Sequence, residues 1–291
     1  MTRALAVVNP AARGGTARAD IDAALDRLRE RFEVIDVAET GLEHPTATEL
    51  GLRAIAERYD VAIAAGGDGT VGGVARAIVG SEVTLGILPF GTFMNIARAL
   101  EIPRNDASAA ALLIARSSMR RIDVGEVGGQ VFFEAAGIGL DADAFSAARA
   151  VQRGQRGLAL AALGALVRRR SARVRIEVDG RTRTHRVLQA VVSNGPFYGW
   201  GFEVAPDAVV DDGRLDVVIF GDSKLRVLRE LIAAAIGRDR PARGRRYRGT
   251  RITFSATREL AVHADGVVIG NLPQTFTIRP KALRVFAPAA R

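Results

Sequence analysis

Gly66-Gly67-Asp68-Gly69-Thr70 stands between an apolar run, Asp60-Val61-Ala62-Ile63-Ala64-Ala65, and a helix-like stretch, Val71-Gly72-Gly73-Val74-Ala75-Arg76-Ala77-Ile78. The order reads strand, glycine turn, helix. Three glycines in four positions permit positive φ and the close approach that a phosphate needs. The helix that follows aims its first N–H groups and its positive dipole end into the same place. Asp68 is the unexpected member of the loop. A carboxylate beside phosphates is repulsive unless a divalent cation lies between them or the carboxylate orients a donor. The loop therefore points to a nucleotide handled together with magnesium. The competing reading is a tight strand-to-helix turn of any α/β protein.

The same design occurs twice more. After the apolar strand Thr84-Leu85-Gly86-Ile87-Leu88 comes Pro89-Phe90-Gly91-Thr92-Phe93-Met94-Asn95, leading into Ile96-Ala97-Arg98-Ala99-Leu100. At the N-terminus Ala4-Leu5-Ala6-Val7-Val8 is followed by Asn9-Pro10-Ala11-Ala12-Arg13-Gly14-Gly15-Thr16, with Thr16 placed to cap a helix running to about Arg31. Alternating strands and helices as far as about Arg120 imply βαβ units and a parallel sheet, at whose carboxyl edge the three loops would meet. After Ile122 the pattern changes. Strand-like segments at 130–136, 173–178, 182–192, 215–220, 251–255, 260–264, 275–278 and 283–286 are interrupted by helix-like ones near 142–150, 158–170 and 224–236. The division is drawn at 1–124, an α/β nucleotide-binding domain, and 125–291, a β-rich domain.

Composition narrows the chemistry. The chain has 291 residues, 48% of them hydrophobic, and no cysteine, so disulfides and thiolate catalysis are excluded. With three histidines a His-rich metal centre is not expected, and any metal must be held by oxygen. No apolar stretch outside the strands is long enough to span a bilayer core of about 30 Å, and the chain reads as cytoplasmic. The net charge is +9, and the cations are almost all arginine. No lysine lies in any glycine loop, which excludes a Walker-type loop and leaves Arg13 as the cation of the first loop, either a phosphate partner or a solvated charge. Arginines 168–170 close an apolar helix-like segment, and a second cluster at 238–251 follows an amphipathic one. They suit either helix C-termini or anionic lipid headgroups, and hence peripheral association with the inner face of a membrane. Aromatics are 5% of residues and do not interleave with these runs, so a nucleic-acid partner is not expected. A homodimer is compatible with the sequence, which does not decide it.

The three loops together resemble the bacterial lipid kinase family whose catalytic domain is shared by diacylglycerol and sphingosine kinases. Asn9-Pro10, Gly66 to Thr70, and Pro89 to Arg98 match its three loop motifs in order. Ala205-Pro206-Asp207-Ala208 with Asp211-Asp212-Gly213-Arg214-Leu215-Asp216-Val217 is similar to its second-domain signature, and Asp265-Gly266 sits where the family has Asp-Gly-Glu. The resemblance covers nearly the whole chain. It implies a β-sandwich second domain, an active site in the interdomain cleft, ATP and Mg2+ as cofactors, and a lipid substrate taken at the membrane surface near the aromatic loop 193–201.

On that resemblance Asn9, Arg13, Gly66, Gly67, Asp68, Gly69, Thr70, Gly91, Thr92 and Asn95 would hold the nucleotide, and Asp68 would be the metal or nucleotide contact of the catalytic centre. Asp265 would be the catalytic base, and Asp212 with Asp216 would bind a structural Mg2+; the residues alone show an Asp-Gly hairpin turn and an Asp-Asp-Gly β-turn. Two departures stand out. Val267 replaces the family Glu, which removes a carboxylate from the catalytic end, and Met94 replaces a common Asn. The readings are an ATP-dependent lipid kinase, a catalytically weak nucleotide- or lipid-binding regulator, and an NAD kinase. The last is disfavoured because no Asn-Glu pair follows downstream.

Overall fold

A computed structural model describes residues 2–41, 43–116, 118–139, 171–199, 201–221 and 244–289. The helix-like segments expected at 142–150, 158–170 and 224–236, and the arginine run 168–170, lie outside the described residues. The chain divides into two units, one of residues 1–124 and 280–291, the other of residues 125–279.

The first unit alternates strand and helix: β1 (Arg3–Val8), α1 (Arg18–Leu28), β2 (Val34–Glu39), α2 (Ala47–Ala56), β3 (Val61–Gly66), α3 (Asp68–Ile78), β4 (Thr84–Pro89), α4 (Asn95–Ala99), α5 (Ala107–Ala115) and β5 (Met119–Val127), which runs on into the second unit. The sheet is parallel in the order β2-β1-β3-β4. Every residue of β3 and β4 is buried. Such uninterrupted apolar runs are what a parallel strand covered on both faces requires. Local signals set the helix starts. Thr46 and Glu49 form a reciprocal capping box at α2, and the Asp106 side chain accepts from Ala109 N at α5. The first helix departs from expectation. It begins at Arg18 with no side-chain cap, because the Thr16 hydroxyl donates instead to the Arg13 carbonyl, 2.9 Å away, inside a short 3-10 turn.

The second unit contains β6 (Gln130–Phe132), β7 (Ala135–Gly139), β8 (Ala172–Val178), β9 (Arg181–Val187), β10 (Gln189–Ser193), β11 (Phe197–Tyr198), β12 (Phe202–Glu203), β13 (Leu215–Phe220), β14 (Arg245–Gly249), β15 (Arg251–Ala256), β16 (Ala261–Ala264), β17 (Val267–Asn271) and the start of β18 (Gln274–Phe286). One antiparallel sheet has the order β14-β13-β10-β7-β16-β17, and β15 pairs antiparallel with β8 and with the first residues of β18, with β9 outside β8. Val174 and Ile176 of β8, Val192 of β10, Val217 of β13, Phe254 of β15 and Phe276 of β18 share one buried core, so the two sheets stack as a sandwich. The alternation of buried and exposed residues along β8 is the period-2 signature of a sheet with one wet face.

The end of the chain differs from the sequence division at 125–291. β18 is one long strand where two were expected, and its last residues, Arg284 and Val285, pair parallel with Thr84 and Leu85 of β4. The first unit's parallel sheet is completed by the C-terminus. Asp123, fully buried on β5, fixes the point of return by accepting from Lys281 N at 2.8 Å, where Lys281 adopts a positive φ. Replacing Asp123 by Ala strips that amide of its acceptor. Urea unfolding is expected to show a loss of about 1–3 kcal/mol. An unchanged midpoint would show that Lys281 N–H needs no acceptor there.

Candidate active site

The three glycine loops follow β1, β3 and β4, whose registers place Val8 beside Ala65 and Gly66 beside Pro89. All three therefore emerge at one edge of one sheet. Asn9 N donates to Ala65 O and Phe90 N to Gly66 O, each at 2.9–3.0 Å, so the loops are stitched side by side before any side chain is considered. Asn9 itself forms an Asx-type turn, its Oδ1 accepting from Ala11 N at 3.0 Å.

Packing between the second and third loops explains their glycines. A Cβ on Gly91 would lie 2.7 Å from Gly67 Cα, and one on Gly66 would lie 2.5 Å from Thr70 Oγ1. By contrast a Cβ at Gly69 would meet nothing within 4 Å. That open side lies at the first turn of α3, whose leading N–H groups have no intrahelical acceptor, so the loop offers donors and room for an anion.

Asp68 carries the junction. Its Oδ2 accepts from Met94 N at 2.9 Å and its Oδ1 from Asn95 N at 2.8 Å. Burial pushes the Asp68 carboxyl above the usual range, while the amides of Met94 and Asn95 pull it back down. Asp68 thus orients two donors of the third loop, one of the two roles the sequence leaves for this carboxylate. Met94 has φ 48°, in the left-handed region that Asn tolerates better than most non-glycine residues, which suits the Asn that the family resemblance sets at this position.

The other residues expected at the nucleotide take different places. Thr92 and Gly69 are exposed and Gly67 half-buried, whereas Thr70 and Asn95 are buried, with relative exposures of 5% and 2%. Asn95 meets the second loop through its main chain. Arg13 lies with its guanidinium 5.3 Å from the Phe90 ring centroid and 3.3 Å from Asp20, whose side chain is 61% exposed. Exposed pairs of this kind are worth about 0–1 kcal/mol, so Arg13 can exchange Asp20 for a phosphate at little cost.

In the second unit Asp265 has φ 44° and caps the end of β16. Its Oδ2 accepts from Phe133 N at 2.8 Å and its Oδ1 from Glu134 N and Ala135 N at 3.0 and 3.3 Å. Three of a carboxylate's roughly four acceptor sites are thus used, which fixes its orientation. His263, two residues earlier and buried, joins Tyr198 OH at 3.0 Å and Gly137 O at 3.1 Å, holding β16 against its neighbours. Sequence reasoning passes over this histidine; a polar residue at an inward strand position was its one signal. Asp212 and Asp216 do come together, but around a guanidinium. Arg248 Nε and Nη2 each lie 3.0 Å from an Asp216 oxygen, and Nη1 lies 3.5 Å from Asp212 Oδ2. Arg248 was not among the expected site residues. Nothing in a motif marks it, since its place opposite Asp216 depends on the pairing of β13 with β14.

Two family models match this chain, the diacylglycerol kinase catalytic domain over residues 3–127 and the YegS C-terminal NAD kinase beta sandwich-like domain over residues 134–287. The chain belongs to the diacylglycerol kinase family of lipid kinases. It is 32% identical over 251 residues to a diacylglycerol kinase of Bacillus subtilis, covering 83% of this chain and 82% of that protein. It is also 32% identical over 278 residues to a probable lipid kinase YegS-like protein of Pseudomonas aeruginosa, covering 93% and 90%. A crystal structure of a diacylglycerol kinase from Bacillus anthracis has the same fold, with a TM-score of 0.76 at 22% identity over 98% of this chain and 97% of that one. The sequence reading sets the nucleotide against the loop edge of the first unit, with Gly91 among its contacts. Gly91→Ala, which drives a Cβ into Gly67, is then expected to weaken ATP binding at least tenfold in calorimetric titration. A variant with wild-type affinity would show that the two loops need not approach so closely.

Proposed function

We propose that this kinase transfers the γ-phosphoryl group of ATP to a hydroxyl of a diacylglycerol-like or sphingoid lipid. The observation that carries the reading is the convergence of three glycine loops on one sheet edge, locked by Asp68, at the N-terminal end of α3. Phosphoryl transfer asks the protein for positioning and charge neutralisation more than for covalent chemistry. Main-chain N–H groups of Gly69 and Thr70, with Arg13, would hold the phosphates. The lipid oxygen forms a bond to γ-phosphorus as the bond to the β,γ-bridging oxygen breaks, and ADP leaves. Asp265 would take the hydroxyl proton, and its main-chain hydrogen bonds would keep it aimed. Mg2+ enters with ATP as the counterion of its phosphates. Among the described residues no group of three or more His, Cys, Asp or Glu could hold an ion.

The lipid would be met at a membrane surface. Arg173 and Arg175 of β8, Arg181, Arg183 and Arg186 of β9, and Arg245 of β14 are all exposed. Basic residues near an anionic surface contribute about 1 kcal/mol each. No helix among the described residues is long and apolar enough to cross a membrane. The exposed arginines support peripheral attachment to an anionic membrane surface. Binding to vesicles containing phosphatidylglycerol is expected to weaken as salt rises, since screening acts within about 8 Å at physiological ionic strength. Equal binding to neutral vesicles would remove these arginines from the account.

A second reading, a lipid- and nucleotide-binding regulator of low turnover, is favoured by Val267, where a carboxylate is absent and the valine is 51% exposed. Turnover of ATP with dioleoylglycerol, sphingosine and NAD as separate acceptors distinguishes the readings. Lipid phosphorylation with NAD inert is the expected result, and Asp265→Asn should lower kcat by about 10²–10⁴ with little change in ATP affinity. If wild type and Asp265→Asn are equally inert towards lipids yet bind ATP, the regulator reading replaces the kinase one.

A further inference from the structure

The turn that precedes β13 gathers oxygens as a cation site would. Asp212 Oδ1 accepts from Arg214 N at 3.0 Å, Gly213 takes a positive φ of 74°, and the turn delivers Asp216 to the second position of β13. The side chains of Asp212 and Asp216 are 25% and 15% exposed, so both carboxylates are partly withdrawn from water. The family resemblance places a structural Mg2+ here. That ion demands six oxygens at about 2.0–2.1 Å in near-ideal octahedral geometry.

The guanidinium of Arg248 already fills this position. It is directly opposite Asp216 in the β13–β14 register, grips both Asp216 oxygens at 3.0 Å, reaches Asp212 at 3.5 Å, and donates through Nη2 to the Asp207 carbonyl at 2.6 Å. One planar fork thus satisfies two carboxylates and a main-chain carbonyl. Arg246 adds a second positive charge at Asp207, 3.3 Å from its carboxylate. An ion at the centre of these oxygens would have to displace the guanidinium and leave its charge beside a dication.

We propose that Arg248 serves as a tethered cation at this turn, so that the second unit of this chain needs no divalent metal where the family resemblance implies one. A metal ion can be removed, whereas a guanidinium carried on β14 is always present and always charged. The claim concerns folding and goes beyond the proposed lipid kinase activity; a failed lipid assay leaves it untouched.

The test uses the whole chain without nucleotide. Thermal unfolding is followed in EDTA and in millimolar Mg2+ or Ca2+, with metal content measured after gel filtration. Wild type should carry no stoichiometric metal and unfold at the same temperature in all three conditions. Stoichiometric Mg2+, or a fall in EDTA that Mg2+ reverses, would overturn the proposal. Arg248→Ala should unfold several degrees lower, and added Mg2+ or Ca2+ should raise its unfolding temperature. An Arg248→Ala protein that folds and ignores divalent cations would show an ordinary ion pair and also overturn it. Should that variant fail to fold, Arg248→Gln is titrated instead and read the same way, and the wild-type chelator measurement decides without any variant.

Discussion

The carboxylate of Asp68 accepts two main-chain hydrogen bonds from the third loop while standing in the first turn of the helix that follows the second loop. Hydrogen bonds to an ionised acceptor are worth about 1.5–3 kcal/mol each, and here they set the orientation of Met94 and Asn95. Everything else at this edge is arranged to permit that bridge. Gly91 has no Cβ because Gly67 is too near, Met94 accepts a left-handed conformation, and Gly66 leaves space for Thr70 beneath the turn. The carboxylate of Asp68 gives two of its roughly four acceptor sites to the third loop, and the first turn of α3 presents N–H groups beside it.

The first unit was legible because its signals are local. Uninterrupted apolar strands, glycine turns and helix starts lie within a few residues of one another, and a parallel sheet puts consecutive strand ends on one edge without further information. The start of α1 was misplaced for an equally local reason, since the Thr16 hydroxyl had a competing acceptor in Arg13 O. The return of the C-terminus to this unit was not legible. It depends on the pairing of Arg284 and Val285 with β4 and on the buried Asp123, contacts that span about two hundred and one hundred and sixty residues respectively.

In the second unit the residue types of the site were readable and their partners were not. Asp265 sits at an Asp-Gly turn, but its fixation by three amides of the 133–135 segment arises only when β7 lies beside β16. Asp212 and Asp216 were readable as a carboxylate turn, and the sequence offers no hint that an arginine some thirty residues later would fill it. Val267 and Val268, both strongly exposed on β17, explain why that strand escaped a reading based on buried alternation. Their exposure also means that the carboxylate missing at Val267 could be restored into solvent, not into an apolar core.

Amide hydrogen exchange at Met94 and Asn95, compared between wild type and Asp68→Ala in the absence of nucleotide and metal, tests the bridge most directly. The account predicts that both amides are protected in wild type and that protection falls by at least tenfold in the variant, while amides of β3 and β4 exchange as before. Unchanged protection at Met94 and Asn95 would contradict it, because the third loop would then be held without the carboxylate of Asp68.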